Sequence, residues 1–145
     1  MHLKKSAKVR DIMTTPVITV EFGAGLIEAV EKMNKYRIGS IVIVRSGRIA
    51  GIITERDILK AIEHKLKLEQ VKVENIMTPD VHVVRDDATL KEAAKIMGEK
   101  KVRRLPVVRC NNLVGLITST DIVKAVAEGL LTRDMHLYFS DILFR

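Results

Sequence analysis

The chain has 145 residues, 47% of them hydrophobic and 30% charged, and a formal charge of +7. That length fits one compact domain or two small, mutually dependent ones and leaves no room for a barrel enzyme, while the composition is that of a globular rather than a disordered chain. The apolar runs 41–44 and 49–53 fall far short of the roughly 18 residues of a membrane span, no apolar core follows the basic N-terminus, and Cys110 is the single cysteine, so no membrane role and a cytoplasmic location are expected.

Self-similarity organises the rest. Residues 9–61 superpose on 73–125 without a gap at one offset of 64, the separation of Asp57 and Asp121. Met13 falls on Met77, Ala29 on Ala93, Met33 on Met97, Gly51 on Gly115 and Thr54 on Thr118. The expected organisation is an N-terminal segment (1–8), a first unit (9–64), a linker (65–72), a second unit (73–128) and a C-terminal tail (129–145).

Within each unit the hydrophobic period changes in the same order. Residues 17–20 read as a short strand, and Leu26, Ala29, Val30 and Met33 follow at the i, i+3, i+4, i+7 spacing of a helix stripe. The second copy repeats the stripe with Leu90, Ala93, Ala94 and Met97. A β-branched run at 41–44, a turn at Ser46-Gly47 and a return strand at 49–53 predict a hairpin, with Asn111-Asn112 turning its counterpart. Thr54 and Thr118 then open helices carrying Ile58, Leu59 and Ile62, and Ile122, Val123 and Val126. Each unit is therefore βαββα. A lone unit of this size buries only about 60% of its unfolded surface. The expected fold is α/β (α+β): two tandem units packed about a pseudo-twofold axis, with small mixed sheets and helices.

Two segments share the form Gly-h-h-Thr-x-x-Asp, where h is apolar: Gly51 to Asp57 and Gly115 to Asp121. The pattern sets a hydroxyl and a carboxylate at a strand-to-helix corner. A carboxylate accepts from both hydroxyls of a ribose diol, and a threonine hydroxyl can meet a sugar or phosphate oxygen. Glycine on the strand lets a ligand or another backbone approach closely. Thr-x-x-Asp is equally a capping box that stabilises a helix start by about 1 kcal/mol, and the tetrad alone leaves both readings open. Arg56 opposes the helix dipole in the first turn, which is explained if it faces an anion.

Together with the openings Met13-Thr14-Thr15-Pro16-Val17 and Met77-Thr78-Pro79, and with Arg104-Leu105-Pro106-Val107-Val108, the repeat resembles a tandem pair of cystathionine-β-synthase (CBS) domains. The resemblance implies a stand-alone, non-enzymatic Bateman-type module. Its two clefts between the units would bind an adenosine-type ligand such as AMP, ADP, ATP or S-adenosylmethionine, with no required cofactor. In that family the aspartate holds the ribose, the threonine supports the sugar or phosphate side, and the first strand's backbone contacts adenine. Carried over by position, site one comprises Val17, Ile18, Gly39, Ser40, Thr54, Arg56 and Asp57. Site two comprises Val81, His82, Arg104, Leu105, Pro106, Thr118, Thr120 and Asp121. Arg103 and Arg104 stand where copy one has Gly39 and Ser40, which favours a phosphorylated ligand in site two. Similar pairs are appended to IMP dehydrogenase, whose catalytic barrel has no counterpart here.

Other chemistries find little support. His2, His64, His82 and His136 are scattered, and neither a Cys-x-x-Cys, a His-Glu-x-x-His nor a phosphate-binding glycine loop occurs, so no metal site is expected. Cys110 is matched by Ser46 in the other copy, which makes it dispensable. Tyr138, Phe139 and Phe144 concentrate aromatics in the tail, where they would dock on a partner or on their own domain. The partners expected are a small nucleotide, a second copy in a homodimer and an effector protein. The alternatives are a nucleic-acid-binding protein using the basic surface, which a 3% aromatic content argues against, and a purely structural dimerisation protein with degenerate pockets.

Overall fold

The computed structural model describes residues 7–129, so the tail aromatics Tyr138, Phe139 and Phe144 lie outside the described residues. In chain order the elements are α1 (Val9–Ile12), β1 (Thr19–Glu21), α2 (Leu26–Tyr36), β2 (Ser40–Arg45), β3 (Arg48–Thr54), α3 (Glu55–Glu63), a 3-10 turn (Leu68–Gln70), α4 (Val73–Ile76), β4 (Val84–Arg85), α5 (Leu90–Lys100), β5 (Arg104–Arg109), β6 (Asn112–Thr118) and α6 (Ser119–Ala127). They form two small mixed three-stranded sheets with helices, ordered β1-β2-β3 and β4-β5-β6. In each, the first strand runs parallel to the second and the second antiparallel to the third.

The helix stripes become core. Leu90, Ala93, Ala94 and Met97 on α5 are all buried, as are Leu26, Ala29 and Met33 on α2. They pack on strand residues that alternate toward the same side, such as Ile41, Ile43 and Ile53 in one core and Leu105, Val107 and Ile117 in the other. Each helix stops at a left-handed residue, Arg37 (φ 52°) and Lys101 (φ 56°), which turns the chain into the next strand.

The chain divides into two compact units, one of residues 18–81 and one of residues 7–17 with 82–129. Each compact unit therefore contains the opening segment of the other sequence repeat. Val73 of α4 is fully buried in the core of β1 to β3, and Val9 of α1 is fully buried in the core of β4 to β6. Backbone pairing fixes both insertions. Ile52 and Thr78 exchange hydrogen bonds of 3.0 and 2.9 Å, and Thr14 and Leu116 exchange bonds of 2.8 and 3.1 Å.

Two local expectations shift. The first strand begins at Thr19 rather than residue 17, because its pairing with β2 runs from Thr19–Val42 to Glu21–Val44. The second hairpin turns on Cys110 (φ 51°) and Asn111 (φ 64°), not Asn111-Asn112, since Asn112 already pairs with Arg109. Both turn residues need positive φ in the tight turn that matches strand twist, as Ser46 and Gly47 also show at φ 53° and 78°.

Candidate functional site

Each Gly-h-h-Thr-x-x-Asp segment ends a central hairpin and starts a helix. Thr54 closes β3 and caps α3: its backbone N–H donates to Asp57 Oδ2 at 2.8 Å, and the Asp57 N–H donates to Thr54 Oγ1 at 3.4 Å. Thr118 caps α6 in the same way, with distances of 2.8 and 3.1 Å to Asp121. The capping box is thus formed in both copies. It uses only Oδ2 of each aspartate; Oδ1 of Asp57 and of Asp121 accepts no hydrogen bond from the described residues. Capping and ligand binding are therefore compatible, because the cap orients the carboxylate and leaves one oxygen available.

The neighbouring strand brings further candidates to each corner. Ser40 pairs with Thr54, and the Glu55 N–H donates to Gly39 O at 3.1 Å, so Gly39, Ser40, Thr54 and Asp57 meet at one end of the first sheet. Arg104 pairs with Thr118, and the Ser119 N–H donates to Arg103 O at 2.9 Å, so Arg103, Arg104, Thr118 and Asp121 meet at the matching end of the second. Ser40 is buried, whereas Arg104 is half-buried and Arg103 exposed. Neither arginine forms an ion pair among the described residues. Arg56 and Thr120 sit exposed in the first turns of α3 and α6.

Not every expected residue offers its side chain. Leu105 is fully buried in the core beneath β5, and Pro106 is also buried in that strand, so Leu105 packs the sheet rather than presenting a surface. Ile18 belongs to the compact unit with Asp57, and His82, exposed, to the one with Asp121. Val17 and Val81 are distributed the other way: Val17 lies in the unit with Asp121 and Val81 in the unit with Asp57.

Each strand glycine makes room for a methionine, and Gly51 for backbone as well. A Cβ on Gly51 would lie 2.5 Å from Met77 Sδ and 2.9 Å from the Thr78 carbonyl oxygen. A Cβ on Gly115 would meet Met13 Sδ, and Cγ at 2.8 Å. Both glycines thus admit the methionine that opens the other repeat.

Sequence reasoning passed over one charged cluster. Asp86 is buried and accepts from Arg109 Nε at 2.7 Å, with Arg109 Nη2 in an ion pair 2.6 Å from the same Oδ2. The Arg109 guanidinium beside it holds the Asp86 carboxyl below the usual carboxylate value, against the opposing effect of burial. Comparing the copies at the offset of 64 marks the place, since Arg109 falls on Arg45 but Asp86 falls on Phe22, over whose ring Arg45 lies at 4.6 Å. Among the described residues no group of histidine, cysteine, aspartate and glutamate has the arrangement of a metal site, and no helix is long and apolar enough to cross a membrane.

The CBS domain model matches residues 9–64 and 73–128, most of the chain. The CBS domain-containing protein YhcV of Bacillus subtilis is 32% identical over 116 residues, which cover 80% of this chain and 83% of YhcV. An uncharacterised protein of Methanocaldococcus jannaschii is 38% identical over 121 residues, 83% of this chain but only 43% of that protein. The crystal structure of the CBS domain pair of protein MJ0100, in complex with methylthioadenosine and S-adenosyl-L-methionine, is similar with a TM-score of 0.78 and 30% identity, covering 85% of this chain and 98% of that one.

Proposed function

The chain belongs to the CBS domain family as a tandem pair, and we propose that it is a non-catalytic regulatory module binding an adenosine-containing ligand at its Thr-x-x-Asp corners. The observation that carries this reading is the pair of capped aspartates, Asp57 and Asp121, each with Oδ2 held by its threonine and Oδ1 unengaged by the described residues. A ribose diol needs an oriented acceptor, and the cap supplies the orientation before the ligand arrives. The likeness to a CBS pair crystallised with methylthioadenosine and S-adenosyl-L-methionine supports an adenosine-type ligand here.

In this proposal the two corners differ. Gly39 and the buried Ser40 frame the Asp57 corner, whereas Arg103 and Arg104 frame the Asp121 corner. A charge-assisted bond from Arg104 to a phosphate contributes about 1.5 to 3 kcal/mol, so AMP, ADP or ATP would prefer the Asp121 corner. Ile18 and His82 would supply backbone near the base, and Thr54, Thr118 and Thr120 hydroxyls near the sugar or phosphate. The module would work in the cytoplasm as a homodimer and pass occupancy to an effector, which requires the ligand to bind two arrangements of the module unequally.

Isothermal titration calorimetry of the full chain against AMP, ADP, ATP and S-adenosylmethionine tests the proposal. Saturable binding of at least one of them is expected. Silence across all four, with nucleic-acid affinity that falls steeply as salt rises, would replace it with the basic-surface reading.

A further inference from the structure

We propose that the arginine-lined cavity at the hairpin end of the second sheet, formed by Arg10, Arg85 and Arg109, is a binding site for a small phosphate-type oxyanion, separate from the Thr-x-x-Asp corner. The cavity holds about 490 Å³ and is walled also by Asp86, Asp87 and the turn residues Cys110 and Asn111. That volume falls within the roughly 300 to 1,000 Å³ common for small-ligand sites. All of these residues belong to one compact unit. The corner and the cavity sit at opposite ends of β5, Arg104 and Arg109, about 17 Å apart at the usual strand rise.

Charge bookkeeping inside the cavity leaves a positive excess. Arg109 is clamped by Asp86, and Arg85 Nη2 lies 2.8 Å from Asp87 Oδ2. Arg10, whose backbone N–H donates to Asp86 O at 3.0 Å, forms no ion pair among the described residues. Three guanidinium groups therefore face two carboxylates. Asp86 uses Oδ2 on Arg109 Nε and Nη2, which fixes the guanidinium plane and leaves the Nη1 side of the fork for a second acceptor.

The internal repeat supplies the control. At the offset of 64, Arg10 falls on Glu74 and Arg85 on Glu21, while Arg109 falls on Arg45. The equivalent corner of the other compact unit thus keeps one arginine, stacked on Phe22, and carries a glutamate at each flanking position; Glu74 Oε1 there accepts from the Gly23 N–H at 3.3 Å. The clip itself is the Arg109–Asp86 pair, to which Arg10 adds its field and Arg85, turned to Asp87, adds nothing. Arginine in place of glutamate at both flanking positions carries more positive charge than that clip requires, and the excess suits an anion.

The test is calorimetric titration of the full chain with inorganic phosphate and with pyrophosphate, at low ionic strength in a phosphate-free buffer. Saturable binding is expected. Arg10→Ala and Arg85→Ala each weaken it by about tenfold, the loss of one charge-assisted contact. The double variant Arg10→Glu/Arg85→Glu, which restores the charges of the other copy and leaves the Asp86–Arg109 pair intact, abolishes it with an unchanged circular dichroism spectrum. Arg104→Ala, which removes the phosphate contact proposed for the Thr-x-x-Asp corner, leaves it unaltered. No heat with either anion, undiminished binding in the double variant, or loss of phosphate binding in Arg104→Ala would overturn the proposal. So would a double variant that loses nucleic-acid affinity alone.

Discussion

Met77 occupies the space that a side chain on Gly51 would need: its Sδ lies 2.5 Å from the position of a Cβ there. The Thr78 carbonyl lies beside it, so Gly51→Ala overpacks against backbone as well as a flexible thioether. The substitution should cost about 1 to 3 kcal/mol in urea denaturation. Trimming the methionine in Gly51→Ala/Met77→Ala should not restore the loss, because Thr78 O remains 2.9 Å away.

Gly115 gives the contrasting case. All three of its nearest neighbours are Met13 side-chain atoms. Measured against Met13→Ala alone, Gly115→Ala should cost less than it does in the wild-type background, whereas Gly51→Ala should cost about as much with Met77 trimmed as without. Equal behaviour of the two double-mutant cycles would contradict the packing described.

Thr118→Ala removes the hydroxyl that accepts from the Asp121 N–H. It should lower stability by about 1 kcal/mol, and Thr54→Ala should do the same for α3. Thermal denaturation of the two single variants checks both.

Asp86 predicts a dependence on acid. Its carboxyl is held below the ordinary value of 3.8, chiefly by the Arg109 hydrogen bond. The pair's contribution is therefore fully present above pH 3.8 and is lost as pH falls through the lowered value. Asp86→Asn should be less stable than wild type at neutral pH, with the gap closing below pH 3.8 in denaturant titrations. A gap that stays constant down to the acid limit would contradict the assignment.

Much of this was legible in residues. The stripe Leu90, Ala93, Ala94 and Met97 became core because period 3.6 places those residues on one face, and Thr54 with Asp57 formed the cap that their spacing implies. The reciprocal placement of α1 and α4 was not legible. Val9 and Val73 belong to matching repeats, so their surroundings are chemically alike in either core, and backbone pairs formed only in the fold hold each in place: Val9 N–H to Ala88 O at 2.8 Å with Thr14–Leu116, and Val73 N–H to Ala24 O at 2.9 Å with Ile52–Thr78. The hairpin slipped by one residue because Asn-Asn outranks Cys-Asn in turn propensity, whereas register with Arg109 chose Cys110-Asn111. The arginine cavity draws on α1, β4 and the second hairpin, which are far apart in sequence and meet only in the fold.

In the proposed module Asp121 holds AMP in addition to capping a helix, and an asparagine separates the two roles. Asn75 already serves at the equivalent place in α4, accepting from the Lys72 N–H at 2.9 Å, so Asp121→Asn keeps an acceptor for the Thr118 N–H. Calorimetric titration of Asp121→Asn and Asp57→Asn with AMP, beside wild type, is the decisive measurement. Near-wild-type melting temperatures are expected, with AMP binding lost in Asp121→Asn but retained in Asp57→Asn; AMP binding undiminished in both variants would contradict the proposal.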